Sequence, residues 1–304
     1  MPESRRGVLY GIAAYGMWGL FPLYWPLLKP SGALEILAHR MVWSLAAVVV
    51  ILAVRRHWSW FRDLLRTPKK LALLALAAAI ITVNWGVYIY AVNAGHVVES
   101  ALGYFINPLV SVLFGVVLLK ERLRPWQWAA VGLGALAVLL LAFDYGRPPW
   151  VALTLAVSFG TYGLVKKIAQ VGAAESMAVE TLVLLLPALG YLAFLQGQGQ
   201  GTFGTEGAGH ALLLVGAGVI TAIPLLCFTA AALRVPLTTL GLLQYIAPVL
   251  QFLVGVFIVH EVMPASRWLG FAIVWLALSV FTWDGLRTAR QSRRAVPEPE
   301  SVTA

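Results

Sequence analysis

Stretches of about twenty consecutive apolar residues recur along the whole of this chain, and no other feature of the sequence restricts the fold so severely. Ten can be drawn, over roughly 7–27, 33–54, 71–92, 97–119, 126–143, 149–165, 175–195, 210–231, 237–259 and 267–286. Each is long enough to cross a hydrocarbon core about 30 Å thick. Hydrocarbon offers no water to an unpaired amide, so runs of this length close their hydrogen bonds within themselves, as helices. Only 12% of the 304 residues are charged and 60% are hydrophobic, whereas a soluble domain is about a quarter charged. The expectation is an all-α polytopic membrane protein with ten transmembrane helices.

A formal charge of +9 raises the question of a nucleic-acid partner, and the placement of the basic residues answers it. With the N terminus on the cytoplasmic side, alternate connections on that side hold 18 of the 22 Lys and Arg residues, from Arg5 and Arg6 through the 55–70 loop to Arg287–Arg294. Only Lys29, Arg147 and Arg267 fall opposite, and Arg40 lies inside a span. The charge therefore reads as topology, with both termini cytoplasmic and the basic face against anionic lipid, and not as nucleic-acid binding. A cleavable leader is not expected: the first span follows Arg5 and Arg6 but is long and lacks a small-residue cleavage site, so it reads as a signal anchor.

Most tryptophans, among them Trp18, Trp25, Trp126, Trp150 and Trp283, lie near span ends and read as interface anchors. A single cysteine, Cys227, excludes an internal disulfide and any cysteine metal cluster. The stretch QGQGQGTFGTEGAG at 196–209 has the composition of a flexible external loop. The basic tail 287–304 reads as disordered.

The chain also repeats itself. At an offset of 140, Pro108 falls on Pro248, Gly115 on Gly255, Glu121 on Glu261, Trp128 on Trp268 and Glu35 on Glu175, and YGMWGL at 15–20 resembles FGTYGL at 159–164. Two halves follow, 1–146 and 147–286, each with five spans. An odd number of spans sets the second half upside down relative to the first. Inverted repeats are a common transporter device, in which rocking one half on the other exposes a midplane site to each side in turn. Pro108 and Pro248 each interrupt an apolar run near its centre, where a freed carbonyl suits such a site.

Polar side chains cluster on single faces near these interruptions. Tyr104 and Asn107 share a face of the fourth span, Gln244 and Gln251 a face of the ninth, and Asn84 and Tyr88 stand one turn apart on the third. Ionisable residues inside spans are rarer and stronger markers. Glu35 and Glu175 open equivalent spans, while Arg40 and Glu180 occupy one deeper repeat position with opposite charge. His39, one turn from Glu35, is its expected hydrogen-bond partner or a proton site, and Glu99 is a partner for Arg40. The substrate-binding candidates are thus Arg40, Asn84, Tyr88, Tyr104, Asn107, Gln244, Tyr245 and Gln251. Those for coupling or gating are Glu35, His39, Glu99, Glu180, Pro108 and Pro248. An intramembrane Arg40 suits an anionic or zwitterionic ligand.

The segments EILAHRMVWS (35–44), NWGVYIYAVN (84–93), ESALGYFINPLVS (99–111), KERLRPWQW (120–128), SFGTYGLVKK (158–167), PLLCFTAAALR (224–234) and TLGLLQYIAP (239–248) together resemble the EamA family of the drug/metabolite transporter superfamily, in its RarD-type subgroup. The resemblance covers both halves. It implies ten helices in two inverted five-helix repeats, a central cavity built largely from the third, fourth, eighth and ninth spans, and export of a small metabolite or drug-like compound across the bacterial inner membrane. Its implied partners are a small-molecule substrate and the lipid bilayer, for a monomer or homodimer.

Other classes fit less well. The sequence holds no H-E-x-x-H, no G-x-S-x-G and no metal-ligand spacing, so neither an enzyme nor a cofactor is expected. A non-transporting membrane receptor or assembly subunit is the alternative.

The charge asymmetry yields a direct test. Tags at both termini and in the 55–70 loop should be protected from reagents added outside intact cells, and a tag in the 196–209 loop should be reached. External cleavage at 55–70 would reverse the assignment.

Overall fold

The computed structural model describes residues 3–55, 59–119, 123–232, 234–235 and 243–294. Among the described residues ten helices of twelve or more residues carry the fold: α1 (Glu3–Gly19), α2 (Ala33–Arg55), α3 (Pro68–Asn93), α4 (Val97–Leu119), α5 (Pro125–Tyr145), α6 (Trp150–Ala169), α7 (Ala173–Gly197), α8 (Gly207–Ala232), α9 (Ile246–Phe257) and α10 (Ala265–Arg294). Short helices at Phe21–Tyr24 and Ser59–Leu65, with a 3₁₀ turn at Trp25–Leu28, fill the connections. Six helices (α2, α3, α5, α7, α8 and α10) are by length and composition apolar enough to cross a membrane. Among the described residues α4, α6 and α9 contribute shorter apolar stretches, Val97–Val110, Trp150–Lys166 and Ile246–Phe257.

Local chemistry sets the boundaries. Pro125 takes the first turn of α5, where its missing N–H is not needed, and the Gln127 side chain accepts the Arg124 N–H at 3.0 Å. The same helix ends where Gly146 adopts φ 63°, a left-handed conformation that costs glycine nothing.

Two expectations shift. Pro108 lies within α4, but Pro248 is the third residue of α9, where a helix amide has no intrahelical acceptor in any case. Leu243 is helical and Gln244 and Tyr245 form a turn, so the ninth apolar run is interrupted there, and Pro248 lies in the first turn of the helix that follows. Helix α10 runs on to Arg294, which makes 287–294 helical. Glu121, residues 56–58 of the basic loop, 236–242 of the ninth span and the tail 295–304 lie outside the described residues.

The packing has a regular plan. Helix α1 lies along α9, with Gly11 against Leu243 and Gly19 against Leu250, and crosses α8 in the opposite sense, with Trp18 near Phe228 and Gly7 near Arg234. Five helices later, α6 lies along α4, with Gly103 against Ala152 and Gly160 against Val110, and opposes α3, where Tyr90 meets Trp150. The pairs α2–α7, α4–α9 and α5–α10 are antiparallel. For α5–α10 the two ends are closed by ion pairs, Arg124–Asp284 at 2.6 Å and Arg267–Asp144 at 2.7 Å. Two buried clusters result, one centred on Trp25, Ile36 and Ile89, the other on Phe105, Leu141 and Phe271.

Since lipid supplies no hydrophobic force between helices, close approach of small residues holds them. A Cβ on Gly218 of α8 would run into the backbone of Trp43 on α2, whereas one on Gly132 of α5 meets nothing within 4 Å. Gly218→Ala should therefore cost about 1–3 kcal/mol, and Gly132→Ala close to nothing. Thermal unfolding of the purified variants separates them, and equal stability of the two would contradict the packing.

Candidate functional site

Helix α2 brings Arg40 into the first buried cluster. Its guanidinium carbon lies 3.8 Å from the Trp85 ring centroid, 5.2 Å from that of Trp25 and 5.9 Å from that of Phe21, and its Nε donates to Thr221 Oγ1 of α8 at 2.8 Å. Aromatic faces thus attract the cation along much of its surface, but none of them carries a compensating negative charge. Tyr88 and Tyr104 meet edge to face at 5.7 Å, within electrostatic reach of the guanidinium. Tyr104 donates to Asn84 Oδ1 at 3.2 Å, and Asn84 Nδ2 donates to the Leu155 carbonyl at 3.0 Å and to Ser158 Oγ at 2.9 Å. Arg40 is 3% exposed, Tyr88 3% and Asn84 0%, while Tyr104 and Trp85 are partly buried, so the charge itself is shielded from solvent.

Four of the eight binding candidates, Arg40, Asn84, Tyr88 and Tyr104, therefore come together. The other four do not share a hydrogen bond or ring contact with Arg40 among the described residues. Asn107 sits one turn further along α4, facing Gly160. Gln251 donates to the Trp18 carbonyl at 3.2 Å, and Tyr245 stands between the Gln244 and Thr282 side chains.

The ionisable gating candidates sit towards the two ends of the helices. At one end Glu35 accepts from the Thr202 N–H at 2.7 Å and the Thr202 hydroxyl at 3.0 Å, Ser31 and Thr202 share a hydrogen bond at 2.6 Å, and His210 lies 2.9 Å from the Ser31 hydroxyl. His39 stacks on Phe203 at 4.9 Å, and does not hydrogen-bond to Glu35 as expected. Near the same end Glu99 pairs with Arg147 at 3.0 Å and accepts from the Val151 N–H at 3.1 Å. That carboxylate is committed, so the expected Arg40–Glu99 pair is not formed. At the opposite end Glu180 holds Lys166 at 2.9 Å and accepts from Tyr162 at 3.0 Å and Ser176 at 2.5 Å.

Sequence reasoning missed several participants. Thr202 and Phe203 belong to the Gly-rich stretch read as a bland loop, yet both dock on α2. Trp25, read as an interface anchor, is fully buried beside Arg40. No local signal distinguishes either. Glu261 was visible only as a repeat position; it accepts from the Val98 N–H at 3.0 Å and so caps the start of α4.

Residues 5–143 match the EamA-like transporter family. The chain is 64% identical over 291 residues to "Protein RarD" of Streptomyces exfoliatus, covering 96% of this chain and 92% of that protein. It is 46% identical to "Uncharacterized transporter YojE" of Bacillus subtilis, over 96% of this chain and 98% of that one. Identity to "Protein RarD" of Escherichia coli is 43%, over 96% and 99% respectively. A solved crystal structure at 20% identity superposes with a TM-score of 0.59, covering 90% of this chain and 96% of the other, which concerns the fold alone. The chain belongs to the EamA-like transporter family, as a RarD-type member, and is a multi-pass membrane transporter.

Glu261 lies in the connection beyond α9, and burial pushes its carboxyl up from 4.5 to about 7, against the pull of the Val98 and Val97 amides and of Arg267, with Glu99 adding to the rise. Between those values the folded protein keeps a proton that the unfolded chain has lost, so stability falls as pH rises from 5 to 8. Glu261→Gln should flatten that fall. Unfolding temperatures of native and variant protein across this range check it, and identical slopes would sink the assignment.

Proposed function

We propose that this RarD-type protein is a secondary transporter of the bacterial inner membrane that exports a small metabolite or drug-like compound by alternating access. The observation that carries this reading is the repetition in the packing: α1 against α8 and α9 is matched by α6 against α3 and α4, and each of the pairs α2–α7, α4–α9 and α5–α10 is antiparallel. A chain of two five-helix halves, 1–146 and 147–286, related by a two-fold axis in the membrane plane has this property. Six apolar helices and three shorter apolar stretches account for nine of the ten spans in this reading, and α1 is taken as the tenth.

In this reading the substrate site is the group of Arg40, Asn84, Tyr88 and Tyr104, contributed by α2, α3 and α4 with Thr221 of α8. The contacts of Glu35 with Thr202 close one end. Those of Glu180 with Lys166 close the other. The positive-inside pattern puts the Glu35 end outside and both termini in the cytoplasm. Pro108, inside α4 one turn from Tyr104, gives that helix a point at which to bend.

Reconstitution with a disulfide at the Glu35 end tests both transport and gate. In a Cys227→Ala background, Ser31→Cys with Thr202→Cys places two thiols where hydroxyls stand 2.6 Å apart. Saturable flux in liposomes should stop on oxidation and return on reduction. Undiminished flux in the cross-linked protein would remove this contact from the transport cycle, and ligand binding with no flux under any condition would favour a receptor.

A further inference from the structure

The Arg40 group contains more buried donors than its own residues can satisfy. Arg40 Nη1, Trp25 Nε1 and the Tyr88 hydroxyl are all buried with no hydrogen-bond partner. The nearby acceptors are committed: Thr221 Oγ1 takes the Arg40 Nε–H, and Asn84 Oδ1 takes the Tyr104 hydroxyl. Among the described residues no Asp or Glu pairs with Arg40, since Glu99 is held by Arg147, Glu180 by Lys166, and Glu35 binds Thr202. A guanidinium and an indole N–H donate only, and the Tyr88 hydroxyl has its proton to give. The cluster therefore carries one uncompensated positive charge and three free donors.

Buried groups of this kind are costly unless partnered, and the missing partner is defined by what they lack. It must bring acceptors. It must also bring negative charge, but only one unit: a phosphate monoester at neutral pH carries nearly two, leaving a net anion in a low-dielectric core. A cation would add to the imbalance, and a neutral amide would leave the charge uncompensated. The rings around the site, Trp85, Tyr88 and Tyr104, suit a flat apolar body attached to that charge.

We propose that Arg40, Trp25 and Tyr88 form the recognition point for the carboxylate of a small organic monoanion, and that such carboxylates are the substrate class of this transporter. The assignment rests on the reading of the Arg40 group as the transport site. It makes Arg40 a binding residue whose counter-ion is the substrate, in contrast to the structural pairs Glu99–Arg147 and Glu180–Lys166.

The test is binding to purified full-length protein in nanodiscs, followed by tryptophan fluorescence and thermal unfolding. Four probes share one ring: benzoate, benzamide, benzylamine and phenyl phosphate. Benzoate should bind saturably and at least about tenfold more tightly than each of the other three, a difference of about 1.4 kcal/mol. Arg40→Gln should lose that binding with an unfolding temperature no lower than native, because it removes an unpaired buried charge. A structural cation would behave in the opposite way. Should Arg40→Gln fail to fold, Tyr88→Phe, which deletes only a free hydroxyl, should weaken benzoate severalfold in a folded protein. Benzamide or phenyl phosphate matching benzoate, no benzoate binding, or native benzoate affinity in folded Arg40→Gln or Tyr88→Phe would overturn the proposal. Saturable flux of another compound alongside such a result would leave the transporter reading intact, while benzoate binding with no flux of any substrate would remove that reading and keep the anion site.

Discussion

Everything in this protein depends on a solvent that cannot hydrogen-bond. Lipid forces each backbone amide into a helix, and it places the same demand on every polar side chain within the bilayer. The result is a division of labour. Apolar and small residues decide how closely helices approach, as where Gly218 lies on the Trp43 backbone, and the few charged residues decide which ends are tied together. Carboxylates do most of this tying. Glu35, Glu99 and Glu261 each accept a backbone N–H from a different segment, at Thr202, Val151 and Val98, so three connections near one end of the helices depend on acidic side chains. A carboxylate bonded to backbone amides is well satisfied, yet can be released by a modest change in geometry. That combination suits a surface that must open.

How much of this was legible in the sequence follows from the range of each interaction. Apolar periodicity is local, and it located α2 to α8 to within a few residues at each end, whereas α1 ends at Gly19 and not at 27 and α10 continues to Arg294 and not 286. The 140-residue repeat is a long-range pattern but a covalent one, and it was visible in Pro, Gly, Glu and Trp. Asn84, Tyr88, Tyr104 and Arg40 were identifiable because polar residues in lipid must turn inward, whatever they turn towards. The partners were not identifiable. Glu99 lies as plausibly near Arg40 as near Arg147 until the helices are packed, and the Gly-rich loop gives no hint that Thr202 will reach Glu35 across 167 positions. Trp25 failed for a related reason: a tryptophan at a span end has the same sequence signature whether it faces headgroups or a buried guanidinium.

The two halves proposed above differ in charge at one repeat position, and in that reading the difference bears on function. At one repeat position the first half places Arg40 and the second Glu180. Glu180 is satisfied three times over, by Lys166, Tyr162 and Ser176. Arg40 has one hydrogen bond to Thr221 and three aromatic neighbours. Two equivalent halves would give a machine whose outward-open and inward-open forms have similar energies, which alternating access requires. A site that was itself duplicated would bind two ligands or none well. In the proposed cycle, breaking the symmetry at a single repeat position, with one residue neutralised internally and its counterpart left for a ligand, would keep the balance between the forms and still provide one site.

Arg40 also stands on the same helix as Glu35, five residues or roughly 7.5 Å further along. Helix α2 therefore carries both the closing contact at one end and the charge at the centre of the proposed site. A ligand can shift a two-state equilibrium only through a difference in its affinity for the two states. Occupation of the Arg40 group by an anion supplies such a difference if the aromatic walls close fully only when the charge is compensated, because an uncompensated guanidinium held away from water opposes closure. The energy released when the charge is paired is then transmitted along a rigid helix to the Glu35–Thr202 contact, with no chain of intermediate residues required. On this account the same buried charge that recognises the substrate also couples its arrival to the state of the gate.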